Sequence, residues 1–452
     1  VYAPGAGQGI DAPGDAGSVF MRPVSYGSGA VNPNPLHTKL VVVGSGMAGM
    51  AAAIFAYNRG ISFVQVGQAS EISFSSGCLD LFSILPGRFP KKFADPFAGI
   101  DALKEKRPGH PYSRMTHPMI QEAFAEFTGF MGSAGICFHG PEQNGQITWK
   151  NQQIITPAGT LKSTWQVPAA MHGGSIAIAR NQHICIVDIK GLKGFGARQM
   201  AQTLQPQLSR VTSATIAFPG RETAKDLMCE RLAWDLENPE MLGQFITLLK
   251  PHADRADVLG LPAILGIYRF EKQRRTLEQA LKKPVFEIPT LSPSVTGMRM
   301  KEAFLGKMAD LGLRHFPVAV SDIVPDKNGF VFSVTQGLQT MEIRADNLVL
   351  ATGRFLGKGL GVRDEQIREM LFDLPVTQPE TRSGWLCSDF FDPAGHPVNR
   401  AGIETDDGFR PLGSTGSVFH PRLYAAGSIL AHQDWKREKS GSGIAIASAF
   451  KA

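Results

Sequence analysis

One segment constrains the fold more than any other: Lys39-Leu-Val-Val-Val43, then Gly44-Ser-Gly-Met-Ala-Gly49, then Met50-Ala-Ala-Ala-Ile-Phe-Ala-Tyr57. The β-branched run predicts a buried strand, and the small apolar run predicts a helix that Gly60 stops. Residues 61–66 predict a second strand, which completes a βαβ unit. In Gly44-x-Gly46-x-x-Gly49 each glycine has its own task. Gly44 allows the tight turn, Gly46 lets the backbone approach a phosphate or pyrophosphate, and Gly49 lets helix and strand pack closely. The helix start, with Ser45, Met47 and Ala48 between the glycines, offers unpaired N–H groups and a positive dipole end. The six residues are candidate ligands of a nucleotide or flavin phosphate.

The rest of the chain is consistent with a globular α/β protein. It has 452 residues, 43% hydrophobic and 19% charged, which excludes a mainly disordered chain. Five scattered cysteines without a CxxC exclude a disulfide scaffold, a zinc ribbon and an iron–sulfur ligand run, and no clustered metal-ligand spacing occurs. The net charge of +6 comes from dispersed residues, with short clusters at 104–107, 272–275 and 436–439 that read as solvated helix faces. No nucleic-acid motif accompanies it, so nucleic acid is not an expected partner. No apolar run approaches the ~18 residues of a membrane-spanning helix, so a membrane would be reached by docking. Residues 1–38, rich in Gly, Pro, Ala, Ser and Asn, lack the basic and apolar regions of a signal peptide and read as a flexible or non-native extension.

A second alternation predicts strands over 184–189, 211–218 and 258–267. It predicts helices over 195–204, 222–234, 239–249 and 271–281, hence a second α/β domain. Short strands follow from 314, with Asn328-Gly329 as a hairpin turn. Two later strands end in glycine turns, Ala351-Thr-Gly353 and Ala425-Ala-Gly427-Ser428, and Lys436-Arg-Glu-Lys-Ser-Gly441-Ser442-Gly443 opens the final helix. Two-dinucleotide-fold flavoproteins use strands of this kind. The pattern brings both chain ends into one discontinuous domain, 39–170 and 312–452, with 171–311 inserted.

One expected part is absent. An ADP-ribose site has an acid about 20 residues beyond the glycines. Here Gln65-Val66-Gly67-Gln68 stands in its place, and the nearest acid is Glu71. A flavin mononucleotide would not need that carboxylate, although Gln65 or Gln68 offers an alternative contact to ribose. Beyond it, Ser75, Ser76 and Gly77 suit a loop lining a flavin, while Cys78 reads as a packed residue. Gly191-Leu-Lys-Gly-Phe-Gly196 follows a strand in GxxGxG order and is a candidate anion-binding turn. His110 and Arg410 are candidates for proton transfer or for binding an anionic substrate.

Taken together, Gly44–Gly49, Phe74-Ser-Ser-Gly-Cys-Leu-Asp-Leu81 and His110-Pro-Tyr-Ser113 resemble the B subunit of bacterial anaerobic glycerol-3-phosphate dehydrogenase. So do Thr156-Pro-Ala-Gly-Thr-Leu-Lys-Ser-Thr-Trp165, Pro289-Thr-Leu-Ser-Pro-Ser294, Ser388-Asp-Phe-Phe391, Thr405-Asp-Asp-Gly-Phe-Arg-Pro411 and Ala426-Gly-Ser428. The resemblance spans roughly 39–450. It implies an FAD-dependent-oxidoreductase-like, Rossmann-type fold that carries FMN, with FAD as the alternative. It also implies an FAD-bearing catalytic A subunit and an iron–sulfur, membrane-anchoring C subunit as partners. The implied reaction is oxidation of sn-glycerol 3-phosphate to dihydroxyacetone phosphate, performed or only relayed by this subunit, with electrons passed to quinone on the cytoplasmic face of the bacterial inner membrane. The alternatives are a stand-alone FAD oxidoreductase of the fumarate reductase type and a scaffold subunit without flavin. Gly353, Gly427, Ser428, Gly441, Ser442 and Gly443 would close the flavin site. The resemblance assigns no catalytic residue.

Overall fold

The computed structural model describes residues 35–68, 71–337 and 339–452. Apart from 35–38, the expected extension lies outside the described residues. β1 (Leu36–Val43) begins two positions before Thr38. It runs into α1 (Met47–Asn58) and β2 (Phe63–Val66), as the glycine spacing predicts. α1 is buried along nine consecutive residues, Ala48 to Ala56, because no polar side chain interrupts it. α2 (His117–Ser133) starts behind the Thr116 side chain, which accepts from Met119 N–H, and covers α1. A hairpin of β3 (Gln152–Ile155) and β4 (Leu161–Thr164) leads to α3 (Ala169–Ala179) and into the inserted unit.

That unit alternates β5 (Ile184–Ile189), α4 (Ala197–Leu204), β6 (Val211–Ile216), α5 (Cys229–Asp235), α6 (Pro239–Ala253), β7 (Val258–Pro262), α7 (Phe270–Leu281) and β8 (Val285–Ile288). Its strands are all parallel, in the order β6-β5-β7-β8. The helix expected over 222–234 forms only from Cys229. Before it, Leu227 pairs with the glycine turn, its N–H on Gly191 O and its C=O receiving Lys193 N–H. A tertiary strand-like contact thus outcompetes local helix propensity. Likewise β7 stops at Pro262, and the expected 258–267 strand continues as a loop.

α8 (Val295–Asp310) returns the chain. Val295 lies in the core of the inserted unit, while Met300, Phe304 and Met308 lie in the first core. Then come β9 (Arg314–Phe316), β10 (Val324–Asp326), β11 (Gly329–Gln336), β12 (Gln339–Leu350), β13 (Leu423–Ala425) and α9 (Gly441–Lys451). The parallel strands of the larger sheet run β9-β2-β1-β12-β13. β12 is long enough for two roles on one edge: its first half pairs antiparallel with β11 and its last three residues pair parallel with β13. Sequence order reverses between β1 and β12, so the crevice beyond their carboxyl ends is the topological switch point where such sheets bind ligands. α9 packs on α1 and α2, with Phe55 edge-on to Phe450 at 5.1 Å.

Candidate functional site

The glycine turn sits at that switch point. Gly44 has φ +132°, and a Cβ there would stand 2.1 Å from Ala351 O, so β1 and β12 touch backbone to backbone. A Cβ on Gly49 would stand 2.1 Å from Gly44 O, which brings α1 against the turn. Gly46 differs: a Cβ there meets nothing within 4 Å. Gly46 is also the N-cap of α1, without a side-chain cap, so the first amides of a buried helix open onto free space. A phosphate fits this cradle.

Ser45 donates to Gly67 O at 2.9 Å and meets His315 Nε2 at 3.3 Å. With the hydroxyl proton committed to Gly67, the imidazole is the donor of the second bond. Burial, helped by Lys301, lowers the His315 pKa to about 4, so the ring is neutral at pH 7. Gln65 is fully buried and donates to Gly44 O at 3.0 Å; it braces the turn from within rather than facing a ribose. Gly67 has no room for a side chain, since a Cβ would lie 2.6 Å from Ser45 Oγ. Gln68 is exposed.

The loop after β2 is held from both sides. Ser75 and Ser76 accept from the amides of Gly77 and Cys78, and Gly77, at φ +76°, packs on Pro168 and Thr296. Ser294 N–H donates to Ser73 O at 2.7 Å, and a Cβ on Gly297 would stand 2.0 Å from Ile72 O. Cys78 is buried beside Met171.

The turns after β12 and β13 meet the first turn. A Cβ on Gly427 (φ +83°) would come within 2.6 Å of the Ala48 Cβ. Gly353 (φ +72°) faces Ser428 Oγ and Glu71 Oε1. Glu71 accepts from Gly357 N–H at 3.0 Å, and burial raises its pKa. The buried Arg354 clamps this region by donating to four backbone carbonyls: Ser428 at 2.6 Å, Gln433 at 3.0 Å, Leu430 at 3.3 Å and Asn399. Burial lowers the Arg354 pKa to about 10, where it stays charged. At the start of α9, Ser442 donates to Cys78 O at 3.1 Å and accepts from Asp80 N–H, while Gly443 N–H donates to Asp80 O. Gly443 must lack a side chain because Tyr112 Oη would lie 2.0 Å from its Cβ, whereas Gly441 rests on Trp435. The 71–80 loop thereby touches the turn after β12, through Glu71, and the start of α9, through Cys78 and Asp80, while the Gly427 turn meets Ala48 directly.

His110 and Arg410 are placed differently. His110 is fully buried; its Nδ1 accepts from Tyr112 N–H, so Nε2–H donates to Glu438 at 3.2 Å. Glu438 also takes Arg107, Ser440 and the Asp434 amide. One ring nitrogen thus holds its own turn and the other holds the 434–440 loop. Arg410 donates from Nε and Nη2 to Oδ2 of Asp406, four residues earlier, which closes its own turn. Both ring nitrogens of His110 are thereby committed, whereas the Arg410 side chain is 40% exposed and its pair with Asp406 uses only Nε and Nη2. Sequence reasoning missed Arg354 and His315, because a lone Arg or His gives no local sign of its distant partners. Among the described residues, no three His, Cys, Asp or Glu side chains gather to hold a metal, and no helix is long and apolar enough to cross a membrane.

The chain resembles the B subunit of anaerobic glycerol-3-phosphate dehydrogenase from Vibrio vulnificus, 28% identical over 92% of this chain and 95% of the relative. It is equally similar to the B subunits from Aliivibrio fischeri (28%, 91% and 93%) and Yersinia pseudotuberculosis (28%, 91% and 96%). Among solved structures, it is similar to 3-ketosteroid delta1-dehydrogenase from Sterolibacterium denitrificans, at 12% identity, 92% and 98% coverage and a TM-score of 0.42. A flavocytochrome c3 fumarate reductase matches at 10% identity, 92% and 77% coverage and a TM-score of 0.40. The family model described as "FAD binding domain" matches residues 39–444. With its open cradle at the switch point and a match over nearly the whole described chain, the protein belongs to the FAD-binding domain family, as a flavin-type oxidoreductase.

Proposed function

We propose that this chain is the flavin-binding B subunit of a quinone-linked sn-glycerol-3-phosphate dehydrogenase that oxidises glycerol 3-phosphate to dihydroxyacetone phosphate, relays the electrons, or does both. The observation that carries the reading is the uncapped start of α1, with open space in front of Gly46, in a chain whose full-length relatives are named for this enzyme. When bound, the flavin supplies the hydride-accepting chemistry. The protein's part is to hold it: Gly44–Gly49 take the phosphate, Ser75–Gly77 line the cofactor, and Gly353, Gly427, Ser428 and Gly441–Gly443 close the site. Arg354 keeps the 428–433 loop in place.

FMN is the flavin we favour. The end of β2 carries no carboxylate, and Gly67 cannot be given one without striking Ser45. FAD is the alternative that the family description names. The relatives are named as one component of a larger enzyme, which supports a complex. In our reading its other members are an FAD-bearing A subunit and an iron–sulfur C subunit that holds the assembly at the cytoplasmic face of the inner membrane and delivers electrons to quinone. Acid release of the cofactor followed by chromatography is expected to yield FMN at about one per chain. FAD in its place would overturn the FMN assignment, and absence of flavin would leave a scaffold protein.

A further inference from the structure

Lys162, Asp80 and Lys439 carry charged side chains that take no part in the hydrogen bonds of the cofactor turns, although Ser442 and Gly443 hold the Asp80 backbone. Lys162 stands on β4, whose hairpin tip docks on α4 of the inserted unit, where a Cβ on Gly159 would lie 2.6 Å from Met200 Cα. The Lys162 ammonium lies 2.7 Å from Asp80 Oδ2, each side chain 18% exposed. The other carboxylate oxygen, Asp80 Oδ1, is buried and accepts no hydrogen bond. Lys439 is half-buried, in a left-handed conformation (φ +54°), two residues before α9. Its ammonium feels Lys162 and Asp80, and more weakly Asp434 and Arg437, which pair with each other at 3.9 Å. Among the described residues, no carboxylate lies within salt-bridge distance of it.

Three physical facts converge there. Asp80 is paired with Lys162, and the second ammonium, Lys439, has no ion pair of its own among the described residues, so a partly dry place keeps an uncompensated positive charge, and burial together with Lys162 pushes the Lys439 pKa down. The positive end of α9 adds to this field, because its N-cap, Ser440, donates its hydroxyl to Glu438 and makes no side-chain cap. Finally, Asp80 Oδ1 lacks a donor. A ligand that answers all three is an anion that also carries a hydroxyl.

We propose that Lys162 and Lys439 bind the phosphate of a small phosphorylated polyol, and that Asp80 Oδ1 accepts one of its hydroxyls. This anchors the substrate beside Ser75–Gly77, and it rests on the substrate-oxidising form of the reading above. Lysine suits this as a compact point charge.

Calorimetric titration of the flavin-loaded protein with sn-glycerol 3-phosphate, inorganic phosphate and glycerol tests it. Both phosphates are expected to bind and glycerol not to bind at the same concentration. Lys439→Gln is expected to weaken both phosphates tenfold or more with flavin content unchanged, and Lys162→Gln to do the same. Asp80→Asn is expected to tighten inorganic phosphate while narrowing the preference for glycerol 3-phosphate over it. Unchanged affinity in both lysine variants would overturn the subsite and leave the proposed function standing. Flavin loss from Lys439→Gln would also overturn it, by giving the residue to the cofactor. Failure of the wild-type protein to bind glycerol 3-phosphate would remove the substrate-oxidising reading and the subsite together.

Discussion

Two glycine turns in this molecule share a local grammar, parallel strand, glycine-rich turn, helix, yet only one is open. At 44–49 the helix start is uncapped and Gly46 faces free space. At 191–196 the N-cap glycine, Gly196, is also uncapped by a side chain and a Cβ there meets only the Gln199 side chain, at 3.9 Å, so the difference lies in what the helix amides and the earlier glycines meet. A Cβ on Gly191 would lie 2.6 Å from Ala224 O, and one on Gly194 2.6 Å from the Leu291 side chain. The first amide of α4, on Ala197, donates to Asp188 Oδ2 at 3.3 Å. A carboxylate of the chain itself therefore occupies the helix end where an external anion would sit. The anion-binding turn expected at 191–196 is closed for that reason. Glycine spacing supplies the conformations, and what stands before the helix decides whether a ligand enters.

The comparison breaks most readily inside the first turn. Gly49→Val drives a side chain into Gly44 O and is expected to cost more than about 4 kcal/mol, read as loss of the cooperative thermal transition. Gly46→Val should leave that transition within a few degrees of wild type yet reduce flavin affinity by about 100-fold or more, because its side chain fills only the cradle. Full flavin occupancy in Gly46→Val would place the phosphate elsewhere. Acid sharpens the contrast next. His315 holds a pKa of about 4 when folded, below the ordinary 6.5, so between these values the unfolded chain binds a proton that the folded chain does not. This contribution is complete above pH 6.5 and is lost as pH falls towards 4. Urea unfolding at pH 7 and pH 5 should show a loss on the order of 1–2 kcal/mol that His315→Gln removes. The smallest effect belongs to the closed turn: Asp188→Ala should cost about 1 kcal/mol of stability and leave flavin content unchanged. A fall in flavin content there would mean that the two turns are not different after all.

The βαβ unit, the glycine turns and the strands that end in them were legible because their signals are local. Val41 to Val43, Gly44 to Gly49 and the apolar helix report their conformation through neighbours a few residues away. The two-sheet plan followed from alternation, and the family from motifs in order. Orientation and partnership were not legible. His110 resembles a reactive residue in sequence, but Tyr112 and Glu438, one near and one 328 positions away, turn it into a buried brace. Arg354 gives no hint in Thr-Gly-Arg-Phe that it will satisfy carbonyls up to 79 positions further on. The stretch before Cys229 has helix-forming composition, and only its pairing with Gly191 and Lys193 explains why it stays extended. Lys162 and Asp80 were visible in motifs, but their pairing lay across the hairpin.

The pairing of β1 with β12 carries a consequence for synthesis on the ribosome. Leu36 lies opposite Ile343, so β1 has to wait until about three-quarters of the chain is made before its far neighbour exists. The parallel strands of the second sheet, within 184–288, build a core completed by Ile155, Ala177 and Val295, and most of it is made while β1, α1 and β2 still lack that edge. The order in which the units are completed thus departs from the order of the chain: the middle is completed first and the cofactor cradle last. A nascent chain stalled before β12 exposes an apolar strand edge beside Gly44, and that is the stage at which a chaperone has most to protect.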